Sequence, residues 1–106
     1  MPPVYRFWIS PYGDEDFEWD RGKSLKTFVD RDLVFEAARI VFRGPLLRRQ
    51  DTRRRRSKEP RFMVLGELYG RVVMINYNPR RGKCRIMSLR AANAAERAIY
   101  YEHTSN

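Results

Sequence analysis

A chain of 106 residues is long enough for one hydrophobic core and too short for two. Its 22 Lys and Arg against 13 Asp and Glu give a formal net charge of +9, which makes a polyanion or an acidic protein the expected partner, with nucleic acid first. One cysteine, Cys84, excludes an internal disulfide; no Cys/His cluster has metal-ligand spacing, and no apolar run approaches the roughly 18 residues of a membrane span.

The start Met-Pro-Pro-Val-Tyr-Arg lacks the apolar core of a secretory signal, so a soluble cytoplasmic protein without metal or cofactor is expected. Hydrophobic residues at 42%, with 13% aromatics, suffice for a folded domain. Residues 1–16 read as an N-terminal extension ahead of a domain at 17–106, with a possible strand at Val4 to Ile9, a turn at Ser10 to Gly13 and an acidic patch at Asp14, Glu15 and Asp16. Asp20 is placed to cap a first helix in which Leu25, Phe28 and Val29 share one stripe, expected to be buried. Asp32 is placed to cap a second, with Phe35, Ala38, Val41 and Phe42 as its apolar face and Gly44-Pro45 as its stop.

Beyond Pro45 the pattern changes to four β-like runs: Leu46 to Arg49, Arg61 to Leu68, Arg71 to Asn78 and Cys84 to Arg90. Tyr69-Gly70 is short enough for a hairpin, and 79–83 reads as a longer hairpin loop. Between the first two runs lies a polar, basic loop at 50–60 that includes Arg53, Arg54, Arg55 and Arg56. In the last run, regular alternation puts Ile86, Ser88 and Arg90 on one side and Arg85, Met87 and Leu89 on the other. Asn93 then caps a final helix, with Glu96 completing a capping box. The resulting fold class is α+β, with N-terminal helices and one C-terminal helix packed on an antiparallel sheet.

Four pieces stand in order: Phe17-Glu18-Trp19-Asp20 with Lys23; Phe35-Glu36-Ala37-Ala38; Glu59, Arg61 and Gly66; and Arg85-Ile86-Met87-Ser88-Leu89-Arg90 with Ala92, Glu96, Arg97 and Tyr100. In order and spacing this set resembles the BrnT family of bacterial toxins. The resemblance implies a RelE-like fold and an endoribonuclease that works without a metal and blocks translation. It also implies neutralisation by a BrnA-type ribbon-helix-helix antitoxin, which alone contacts operator DNA. Family members carry Asn and then Lys-His-Gly between the first two helices, where this chain has Thr27, Asp30, Arg31 and Asp32. Arg31 cannot replace a histidine as a base because it stays protonated.

Metal-free cleavage uses the ribose 2′-OH as nucleophile and requires a base, cations for the charge at phosphorus and an acid for the leaving oxygen. Arg61, Arg85 and Arg90 are candidates for the phosphate, since guanidinium forks match its oxygens. Lys23 is one candidate base, although bringing its pKa from ~10.4 to ~7–8 requires about 4 kcal/mol of differential stabilisation. Glu67 is another if it faces Arg61. Arg53 to Arg56, Arg80 and Arg81 are expected to contact RNA, with Tyr77 stacking on a base. Two further readings are a catalytically silent RNA-binding or antitoxin-binding member of the same fold, and a basic module whose partner is an acidic protein.

Overall fold

The computed structural model describes residues 4–52 and 59–105. Its elements are β1 (Arg6–Trp8), β2 (Phe17–Trp19), α1 (Arg21–Arg31), α2 (Ala38–Val41), β3 (Leu46–Gln50), β4 (Phe62–Leu68), β5 (Arg71–Arg80), β6 (Lys83–Ala91) and α3 (Ala94–Thr104). This is an α+β fold built on one six-stranded sheet, in the order β1-β3-β4-β5-β6-β2.

The meander β3 to β6 is antiparallel, as the alternating runs predict. The whole sheet is mixed, because β2 adds in parallel to β6 with Phe17 opposite Cys84 and Trp19 opposite Ile86. At three residues β2 is too short to show a periodicity. Both hairpins close on two residues with positive φ, Tyr69-Gly70 and Arg81-Gly82, which matches the right-handed twist of the flanking strands. The expected five-residue loop at 79–83 is therefore a tight turn, with Arg80 paired to Lys83.

One face of the sheet holds the larger core: Phe17, Leu33, Phe35, Ala38, Val41, Phe42, Ile75, Tyr77, Cys84, Ile86 and Leu89 are all buried there. Trp8 stacks on Tyr77 with ring centroids 5.6 Å apart, and Tyr12 meets the same ring edge-on at 6.1 Å, so residues ahead of β2 pack into this core. Gly66 lets α2 come close: a Cβ there would lie 2.5 Å from Val41 Cγ1 and 2.8 Å from Leu46 Cδ2. Part of the opposite face is covered by α3, which packs Tyr100 into a cluster with Leu47, Leu65, Val72 and Met74. The Tyr100 hydroxyl donates to the Pro45 carbonyl at 2.9 Å.

Two helix expectations are corrected. Asp20 caps α1 by accepting from the Lys23 N–H at 2.9 Å, but Leu25, Phe28 and Val29 face outward, 65%, 49% and 73% exposed. What α1 turns inward is polar: Ser24 Oγ accepts from the Phe35 N–H, and Arg31 Nη1 donates to the Leu89 carbonyl. Asp32 does not cap the next helix. It ends α1 in the left-handed conformation, its N–H donating to the Phe28 carbonyl, and the segment after it opens as a 3-10 turn, Phe35–Ala37, before α2.

Candidate functional site

The site follows from one irregularity in β6. Asn76 pairs with Ser88 and Tyr77 with Ile86, so Met87 is an extra residue with no partner on β5. Across this bulge the alternation changes phase, and Cys84, Ile86 and Leu89 all reach the same core. Arg85, Ser88 and Arg90 accordingly share the opposite face. Regular alternation places Arg85 and Arg90 on different sides, and the bulge corrects that expectation.

Cross-strand partners share a face, so the register places side chains in rows. One row runs Leu47, Leu65, Met74, Arg90 and lies under α3. The next runs Arg49, Met63, Asn76, Ser88. A third holds Asn78, Arg85 and Glu18, and alternation from Met63 brings Arg61 to its end. With strands about 4.8 Å apart, Arg61 and Arg85 stand roughly 10 Å from one another across Asn78. These last two rows form a polar face beside α3, four strands wide.

Among the described residues the Arg85 guanidinium makes one loose ion pair, Nη1 to Glu18 Oε2 at 3.7 Å. Arg90 is held far more firmly: Nη1 and Nη2 each donate to the Glu96 carboxylate at 2.8 Å in a fork-to-fork pair. Glu96 also accepts from the Asn93 N–H and closes the capping box of α3. The hydrogen bonds from Arg90 hold the Glu96 carboxyl below its ordinary pKa, against the opposing effect of burial. Asn78 is buried and donates to the Pro60 carbonyl at 2.6 Å, while its Oδ1, the Asn76 Oδ1 and the Arg49 Nε are buried without hydrogen-bond partners among the described residues. Where α1 approaches β6, a crevice of about 170 Å³ is lined by Lys23, Lys26, Thr27, Arg31, Met87 and Ser88.

Among the expected site residues, Arg61, Arg85 and Arg90 thus reach one face, and Lys23 opens onto the crevice at its β6 edge. Glu67 is not brought to Arg61: six residues along the same strand put them roughly 20 Å apart, with Glu67 at the Val72 end. Tyr77 is not available to stack on a base. It is fully buried between Trp8 and Phe62, its hydroxyl accepts from Arg48 Nη1 at 3.0 Å, and burial pushes its pKa up to about 12. Arg80 pairs with Glu59 at 3.0 Å, and together with the exposed Arg81 it lines a cavity of about 780 Å³ with Glu18 and Lys83. Arg53 to Arg56 lie outside the described residues.

Glu18, Arg49, Asn76 and Ser88 were not expected at the site. Glu18 had a signal, its place in the Phe-Glu-Trp-Asp piece, but its position beside Arg85 depends on the parallel pairing of β2. Ser88 likewise stands in the Arg85 to Arg90 piece, while Arg49 and Asn76 depend on register alone. Among the described residues no group of three or more His, Cys, Asp or Glu is placed to hold a metal ion, and no helix is long and apolar enough to cross a membrane.

Comparison with protein families gives a match over residues 19–96 to the family described as ribonuclease toxin, BrnT, of type II toxin-antitoxin system. No curated protein and no solved structure matches the chain. The matched interval begins at Trp19, the last residue of β2, and ends at Glu96, so it contains β3 to β6 with Arg61, Arg85, Ser88 and Arg90, while Glu18 lies one residue before it.

Proposed function

From its membership of the BrnT family of ribonuclease toxins, to which this chain belongs, we propose that it is a metal-independent endoribonuclease that cuts RNA on the polar face beside α3 and so blocks translation. The observation that carries this reading is the placing of Arg61, Arg85 and Ser88 on one open face, with Arg90 in the adjoining row under α3 and Lys23 at the edge. In the cytoplasm the activity is neutralised by a BrnA-type ribbon-helix-helix antitoxin, through which alone the complex meets operator DNA.

In the proposed step the ribose 2′-oxygen attacks the adjacent phosphorus. The bond to the 5′-oxygen breaks and that oxygen takes a proton from solvent, leaving a 2′,3′-cyclic phosphate and a 5′-hydroxyl. Arg85 is the better candidate to stabilise the charge at phosphorus, since its one ion pair is long, whereas Arg90 already gives two hydrogen bonds to Glu96. Arg61, about two strands away, is spaced to hold a neighbouring phosphate. For the 2′-proton, Glu18 stands beside Arg85 and its carboxylate can accept a proton directly; Lys23 must first release its own. Binding of Arg85 to phosphate would loosen its hold on Glu18 and leave that carboxylate available as base.

Incubating the purified chain with single-stranded RNA and, separately, with DNA of the same sequence in excess EDTA tests this. Cleavage of the RNA alone, with cyclic phosphate ends, is the expected result. Intact RNA at micromolar folded protein would favour a silent binding member of the family instead.

A further inference from the structure

The helix α1 is built with its polar side inward. Ser24, Thr27 and Arg31 face the body of the protein, while Leu25, Phe28 and Val29 form an outward ridge at i, i+3, i+4 spacing. A shallow groove of about 300 Å³ runs along it, lined by Trp19, Arg21, Ser24, Leu25, Phe28 and Val34. Contiguous apolar surface of this kind on a soluble domain marks an interaction site.

We propose that this ridge and groove receive an amphipathic helix with acidic flanking residues, contributed by the antitoxin; this rests on the toxin reading above. Spacing argues for a helix, since apolar residues three and four apart on one helix interlock with the same spacing on another. Charge argues for the flanks and against a second copy of this chain. Arg21 is the charged residue that lines the groove, and the chain has a net charge of +9, so two copies meeting here would set like charges together. The residues outside the description, Met-Pro-Pro, Arg-Arg-Arg-Arg-Ser-Lys and a final Asn, supply no amphipathic segment to cover the ridge. The same helix lines the crevice at Ser88 with Lys23, Lys26, Thr27 and Arg31 on its other side, so an occupant of the ridge lies one helix width from the site. Docking there would let a partner reach over α1 and close the polar face.

The probe is a purified BrnA-type ribbon-helix-helix antitoxin, titrated into the full chain and into Leu25→Asp and Phe28→Asp variants. Ile9→Asp serves as control, because Ile9 is 92% exposed beyond the opposite edge of the sheet. The α1 variants are expected to bind about 30-fold or more weakly, the control to bind as the parent does, and all to cut RNA at the parental rate when the antitoxin is absent. Parental affinity in both α1 variants would overturn the docking site while leaving the toxin reading intact. So would a dimer of the parent, seen by sedimentation, that Phe28→Asp dissociates. A parent that neither cuts RNA nor binds the antitoxin would overturn the toxin reading and the proposal with it.

Discussion

The Glu96 carboxylate accepts from three donors, two on Arg90 and one the Asn93 N–H, and so ties the end of β6 to the start of α3. Its folded pKa lies below the ordinary value of 4.5 because the charged form keeps those bonds. For a depressed carboxyl the contribution to stability is complete above the unfolded pKa and disappears as pH falls through the folded one. Glu96→Gln is therefore expected to lower stability by about 1–2 kcal/mol near neutral pH and to flatten the loss of stability below that value. Urea melts near neutrality and near pH ~3 check both. Residue type alone does not separate such an arginine from others: Arg48 lies against the rings of Trp8 and Phe62 at 4.5 and 4.4 Å and serves the core, whereas Arg85 keeps one loose ion pair on an open face. All three look alike in a sequence because an arginine's role depends on what stands across the sheet.

Among the elements, the strand meander and the caps of α1 and α3 were legible because they rest on local chemistry: alternation, the two-residue turn ending in Gly70, and the side chains of Asp20 and Asn93; the turn ending in Gly82 read as a longer loop and is tighter than that. The orientation of α1 was not. Leu25, Phe28 and Val29 have the spacing of a core stripe, and periodicity identifies a helix face without saying whether the core or a partner covers it. The bulge at Met87 was equally hidden, since no local residue type demands it and only the pairing of Asn76 with Ser88 reveals it. Because the site arginines lie on either side of that bulge, their shared face could not be read from alternation. Gly66, by contrast, marks where β4 meets α2. Gly66→Ala is expected to cost about 1–3 kcal/mol by overpacking Val41 and Leu46, seen as a lower urea midpoint with an unchanged slope.

For the whole molecule, one sheet divides two functions of the sequence. The aromatic core around Tyr77 fills one face, and the other is shared between α3, which lies over the row that ends in Arg90, and an open polar half that holds Arg61, Arg85 and Ser88. The net charge of +9 favours a polyanion on that half, and RNA held there through six or more phosphates is expected to lose roughly 10³–10⁵ in affinity between about 50 and 200 mM salt, as filter binding would show. The central claim is that this half carries the chemistry, and Arg85 is its most exposed commitment. Single-turnover RNA cleavage in EDTA by Arg85→Ala, with folding verified, tests it most directly: the rate is expected to fall about 10²-fold or more, and a rate equal to the parent's would contradict the assignment of the face.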